Sequence, residues 1–372
     1  MKGAREAESI AQTLIGILRE KAGVKEHRIG IVQDLLWKVL RLPINKRVEL
    51  LREAFQLCED DDFDAMLQIL VRPSVGGAVE TSPRRAVDIG IVTVRRFELD
   101  AVLAVFEVKR QRKPDHVDRG RRYWFATVPS GSTRVRCCIT TVGQPRNVPA
   151  ALATADLIRI MQPKLCIMVG IGAGLKKTKD NPGVFLGDVI LPRSVLDYEH
   201  VRLQVPEQDA PPRSFFDGLD RPAQFACHKD VVGLLETFSG GSDWKTELTR
   251  VARALGVASQ LIKNWSPRLR EGVILAGEKL IANGRLNDMR LQLHDQIRGA
   301  DQEDSGFAQA CEAESSRVYW AVVRGVSDYG DGDKAKTDPT QPAAAASAAI
   351  IARRLCEGFG SGLRHSGRDA PA

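Results

Sequence analysis

The chain has 372 residues, 43% of them hydrophobic and 27% charged, with a formal net charge of +7. These values fit a globular protein of about two or three domains, and no apolar run approaches the roughly 20 residues needed to span a bilayer. Seven cysteines form no CxxC pair and six histidines no HExxH-type pattern. That spacing argues against a zinc site and for reduced thiols in a cytoplasmic protein, with no cofactor expected. No basic, aromatic-interleaved stretch points to nucleic acid, and no signal peptide or membrane segment is read at the N-terminus.

Residues 1–72 read as a small all-α bundle. Apolar residues recur at helical spacing through Ile10–Leu18, Ile31–Leu40, Val48–Leu57 and Phe63–Val71. The acidic run Glu59-Asp60-Asp61-Asp62 sits where a helix N-terminus favours negative charge. This segment carries no catalytic constellation and reads as an adaptor or interaction domain that can bind a protein partner. Residues 73–86, rich in Gly, Pro, Ser and charge, read as a linker.

From residue 87 the texture alternates between strand and helix. Strands are expected at Val87–Val94, Val135–Thr141, Leu165–Val169, Asp188–Leu191, Val273–Leu275 and Val318–Val323. Helices are expected at Phe97–Phe106, Pro149–Met161 and Ala343–Leu355, with a helical insertion near residues 230–270. Gly170-Ile171-Gly172-Ala173-Gly174 reads as a glycine-rich turn that admits a ligand to the backbone. Residues 87–357 therefore read as an α/β domain around a parallel or mixed sheet, and residues 358–372 as a disordered tail.

Chemistry gathers after the strands. Asp328 follows the last strand in Arg324-Gly325-Val326-Ser327-Asp328-Tyr329-Gly330-Asp331. Open α/β sheets bind ligands at such carboxyl ends, although a helix cap is the simpler role for Ser327 or Asp328. Glu98 follows the first strand and Glu314 precedes the last. Three carboxylates at one sheet edge suit glycosidic chemistry: one protonates the leaving group, one activates water and one holds sugar hydroxyls.

Six short motifs, in order, resemble the nucleoside phosphorylase superfamily, and within it the methylthioadenosine/adenosylhomocysteine nucleosidases. They are Ile89-Gly90-Ile91-Val92 with Glu98, Val169 to Leu175, Gly187-Asp188-Val189, Leu275 to Ile281, Glu312 to Tyr319, and Arg324 to Asp331 with Lys334. The resemblance implies a three-layer α/β/α sandwich with a twisted mixed sheet, preceded here by the all-α bundle. It implies that Asp328 protonates a purine ring nitrogen and Glu98 activates water. Glu314 would bind the ribose, with Ser327, Gly172 and Ala173 against the base. The implied activity is hydrolysis of the N-glycosidic bond of a purine nucleoside or nucleotide. The implied assembly is a homodimer or higher homo-oligomer.

Two alternatives stay open, a phosphate-dependent phosphorylase and a non-catalytic nucleoside sensor. Arg95, Arg96 and Arg146 are candidate phosphate contacts, for an inorganic nucleophile or for the phosphates of a nucleotide. Glu98 favours water, since a phosphate nucleophile needs no such base. A helical module fused ahead of a nucleosidase resembles bacterial defence and signalling effectors.

Overall fold

In a computed structural model the chain divides into two units, Met1–Pro83 and Arg84–Ala372. The structure describes residues 87–109, 113–118, 120–199, 222–228, 231, 233, 243–279, 281, 284–313 and 318–362. The expected bundle of residues 1–72, the linker and Glu314 lie outside the described residues.

The described part is a single mixed sheet with helices on both faces. In chain order the elements are β1 (Ile89–Thr93), α1 (Arg96–Val105), β2 (His116–Asp118), β3 (Arg121–Ser130), β4 (Thr133–Thr141), α2 (Asn147–Met161), β5 (Leu165–Gly174), β6 (Val189–Asp197) and β7 (Ala223–Ala226). Then come α3 (Trp244–Ala254), β8 (Leu269–Ala276), α4 (Leu286–Leu293), β9 (Ile297–Asp301), α5 (Asp304–Ala313), β10 (Tyr319–Asp328) and α6 (Gln341–Gly362), with short turns of helix between some of them. β1 lies parallel between β4 and β5, with Ile91 opposite Ile139 and Ile167. β5 also pairs with β10 and β9, and β10, β6, β8 and β9 pair in turn, so these five strands close into a ring. The other strands, β7 aside, extend from β5 as an open sheet in the order β1-β4-β3-β2.

Alternation along the strands divides the core. Ile89, Ile91, Ile139 and Val323 face α1, α3 and α6 through Leu99, Val251 and Ile350. Val92, Cys138, Met168 and Val322 face α2 and α5 through Leu157 and Phe307. Period-two side-chain direction sends neighbouring residues to opposite layers, and each fully buried Leu, Ile or Phe contributes about 1.5–3 kcal/mol of transfer free energy. Cys137, Cys138, Cys166, Cys227, Cys311 and Cys356 are buried free thiols, as their apolar neighbours suggest. No helix among the described residues is long and apolar enough to cross a membrane.

Two boundaries differ from the sequence reading. The glycine stretch is not a turn: β5 continues to Gly174, and Gly170 to Ala173 pair with Arg324 to Asp328 of β10. A Cβ at Gly170 would lie 2.4 Å from Arg324 Nη1, so glycine is what lets the strand carry on beneath that side chain. At the other end, α6 runs on through Gly358 to Gly362, and the buried Phe359 holds its last turns to the core.

Candidate active site

A cleft opens where β1, β5, β9 and β10 end. It is lined by Arg95, Glu98, Gly172, Ala173, Lys279, Asp301, Gln302, Glu303, Ser327 and Asp328, with apolar Val94, Ile171, Ile281 and Ala300 between them.

Glu98 occupies the first turn of α1 and is buried. Its Oε2 accepts the N–H of Val94 at 2.9 Å and of Arg95 at 2.7 Å, capping the helix start from within. Its Oε1 accepts the N–H of Ile171 at 2.9 Å, which fixes the carboxylate against β5. A carboxylate oxygen takes about two such bonds. Oε1 therefore keeps an acceptor direction for a water.

Asp328 closes β10, where a bulge between Val326 and Asp328 shifts the register and re-aims the strand end. Gly330 N–H donates to Asp328 Oδ1 at 2.9 Å, and the Ser327 hydroxyl lies 2.9 Å from Oδ2. Both residues are buried at the cleft wall, and Gly172 and Ala173 lie beside them.

Two further carboxylates line the cleft, Asp301 and Glu303, and the motif reading selects neither. Between the end of β9 and the start of β10 an acid-x-acid pattern occurs twice, at Asp301-Gln302-Glu303 and at Glu312-Ala313-Glu314. The second is the one that resembles the family's motif through Glu312 to Tyr319. The structure brings the first into the cleft, between β9 and α5, whereas Glu312 is an exposed residue at the end of α5. The signal was present in Asp301-Gln302-Glu303-Asp304-Ser305-Gly306 but followed a five-residue strand, IRGAD, with no apolar run to announce it. With this register the residue between the two acids is Gln302, whose Nε2 donates to the Glu278 carbonyl at 3.1 Å.

Charge around Glu303 is dense. Asp301, Glu303 and Asp304 surround the Arg324 guanidinium, which is fully buried. Burial pushes the Glu303 carboxyl up to about 7, opposed by Arg324 and reinforced by Glu98 and Asp304. Burial likewise holds Asp301 well above the ordinary carboxylate range, against the pull of Arg324.

The arginines separate. Arg95 lines the cleft. Arg96 points away, 64% exposed and paired with Asp100 one turn on. Arg146 borders a neighbouring cavity with Gln144 and Glu278, and its backbone has φ 102°, a region that L residues seldom enter. That backbone is held by Arg146 N–H donating to Glu303 Oε1 at 3.3 Å and Asn147 N–H donating to Glu278 Oε1 at 3.0 Å. The cleft's other cation is Lys279, ion-paired with Glu199. Among the described residues no cluster of His, Cys, Asp and Glu has metal-binding geometry.

The family model of the phosphorylase superfamily matches residues 88–357. The ATP nucleosidase Cap17 of Escherichia coli (strain KTE188) is 27% identical over 267 residues, which cover 70% of this chain and 49% of that protein. The chain thus spans about half the length of this curated relative. Two solved methylthioadenosine/adenosylhomocysteine nucleosidases share the fold. That of S. pneumoniae with a transition-state inhibitor has a TM-score of 0.51 at 16% identity, covering 73% of this chain and 99% of that one. That of Colwellia psychrerythraea 34H with adenine has a TM-score of 0.51 at 17% identity, covering 73% and 96%. Because the family model extends over most of the chain, from β1 to α6, this protein belongs to the phosphorylase superfamily.

Proposed function

We propose that the chain hydrolyses the N-glycosidic bond of a purine nucleoside or nucleotide and releases the free base. The observation that carries this is the meeting of Asp328, Glu98 and Glu303 in one cleft. Asp328 protonates the ring nitrogen of the departing base, with Ser327 holding its Oδ2. Glu98 orients and deprotonates water through Oε1. Glu303 accepts hydrogen bonds from the ribose hydroxyls and lends negative charge to the oxocarbenium-like state. In this reading Glu303 takes the role that the motif match gave to Glu314. Each acid or base group of this kind contributes about 10²–10⁴-fold.

The relative named as an ATP nucleosidase supports a phosphorylated substrate. Arg95 and Lys279, at the cleft wall, are the cations suited to its phosphates. A phosphorylase is the second reading, favoured by the same two cations. We further infer a homo-oligomer, with residues 1–72 acting as the adaptor through which the enzyme is recruited in defence or signalling.

The test is release of free base from purine nucleosides and their mono-, di- and triphosphates, with and without inorganic phosphate. Release that ignores phosphate supports hydrolysis. Release that requires phosphate and yields a sugar 1-phosphate makes the protein a phosphorylase. Ligand binding with no release from any member overturns both in favour of a sensor.

A further inference from the structure

Arg324 and Asp304 are among the most deeply buried charged residues of the described fold, and neither is part of the cleft wall. Asp304 grips Arg324 bidentately: Nε lies 3.1 and 3.2 Å from its two oxygens and Nη2 lies 2.5 Å from Oδ1. Such a fork fixes the guanidinium plane as well as its position. The rest of the guanidinium then works in two directions. Nη1 donates to the Ile171 carbonyl at 3.3 Å, and the N–H of that same residue donates to Glu98 Oε1. Nη2 lies 3.5 Å from Glu303 Oε2 and in ion-pair contact with Asp301. Gly170 separates the two halves, since a Cβ there would lie 2.4 Å from Arg324 Nη1 and 2.7 Å from Glu98 Oε1.

We propose that Asp304 and Arg324 form a positioning pair behind the cleft that sets the spacing and aim of Glu98 and Glu303 without touching substrate. One guanidinium, locked by Asp304, serves both carboxylates: Glu98 through the Ile171 backbone, whose carbonyl it holds and whose N–H binds Glu98, and Glu303 directly. Three carboxylates share that one cation, and the Asp301 oxygen in ion-pair contact with Nη2 is Oδ2. The cluster therefore settles where its protons reside as well as where its oxygens point. The charged groups facing Glu303 are Glu98 from α1, Asp301 from β9, Asp304 from α5 and Arg324 from β10, with the Arg146 backbone N–H from the start of α2. The pair deepens the hydrolytic reading and rests on it for its kinetic readout.

The experiment compares the full chain with Asp304→Asn, Arg324→Lys and the double variant. Turnover is followed as adenine release from adenosine and adenosine triphosphate. The Glu303 carboxyl is followed by carbon NMR, assigned with Glu303→Gln. Each single variant is expected to lose about 10- to 100-fold in kcat, with KM changed far less, as for other residues that orient a catalytic group from behind. The double variant is expected to lose no more than the worse single one, because the two residues act as one unit. In Asp304→Asn the Glu303 titration moves to lower pH, because a negative neighbour is gone and Arg324 is free to pair with it. Unchanged kcat in a folded variant, or losses that multiply, would overturn the proposal, even with a lower melting temperature. If Asp304→Asn does not fold, Arg324→Lys, which keeps the charge, decides by the same kcat and KM criteria. If the unaltered chain releases no base from any substrate, the hydrolytic reading fails on its own. The positioning pair is then judged by the Glu303 titration, and an unmoved titration in Asp304→Asn refutes it.

Discussion

An Asp328→Asn substitution keeps the size of the side chain and its bond from the Gly330 N–H but removes the acidic proton. Base release is expected to fall by about 10²–10⁴-fold in kcat, with nucleoside affinity little changed. A rapid-quench assay beside calorimetric binding separates the two, and a variant that keeps its turnover would remove Asp328 from the mechanism. Glu303 makes a prediction about pH. Its folded-state value of about 7 lies above the ordinary 4.5, so the native chain holds this proton more tightly than the unfolded chain. That contribution to stability is fully present below the ordinary value and is lost as pH rises through about 7. Glu303→Gln cannot ionise. It is therefore expected to melt like the unaltered chain at acid pH and at a higher temperature above neutrality, while base release falls. Equal melting temperatures across that range would mean that Glu303 is not buried as described.

At the scale of elements, legibility followed apolar runs. β1 and β10 were legible because Val87–Val94 and Val318–Val323 are apolar, and Glu98 and Asp328 came with them as the residues that follow. β9 was not, because Ile297-Arg298-Gly299-Ala300-Asp301 alternates charge and small residues and is held by pairing to β8 and β5 rather than by its own hydrophobicity. Losing β9 meant losing Asp301 and Glu303. In the sequence Arg324 is only the first residue of a motif, since full burial of an arginine runs against its usual exposure and only the fold reveals its three carboxylate partners. The glycine stretch of β5 was recognised as a place of close approach, but what approaches is Arg324 and Glu98 rather than a ligand alone. Gly170→Ala tests this. The added methyl has no room, and an overpacked core typically costs about 1–3 kcal/mol. Denaturant unfolding is expected to report a loss in that range, and turnover is expected to fall further than stability, since both displaced groups serve the site. A variant with unchanged turnover would uncouple Gly170 from the site.

For the whole molecule, the division after Pro83 sets apart a segment whose sequence offers no catalytic constellation from the unit that holds the described residues of the cleft. Among the described residues two large apolar clusters fill the spaces between one sheet and the helices on its two faces. A core of that size is self-sufficient by the usual scaling of buried surface with length. A chain beginning at Arg84 is therefore expected to unfold in one cooperative transition and to release base at a rate per site comparable with that of the full chain. Association should differ. If residues 1–72 are the adaptor, sedimentation of the full chain will show a larger assembly, or capture of a partner, that the shortened chain lacks. Identical sedimentation, together with no self-association or partner binding by residues 1–72 alone, would end the adaptor reading and leave the nucleosidase reading intact. The converse result, a shortened chain that is folded but silent until residues 1–72 are present, would make the first segment a switch for the second.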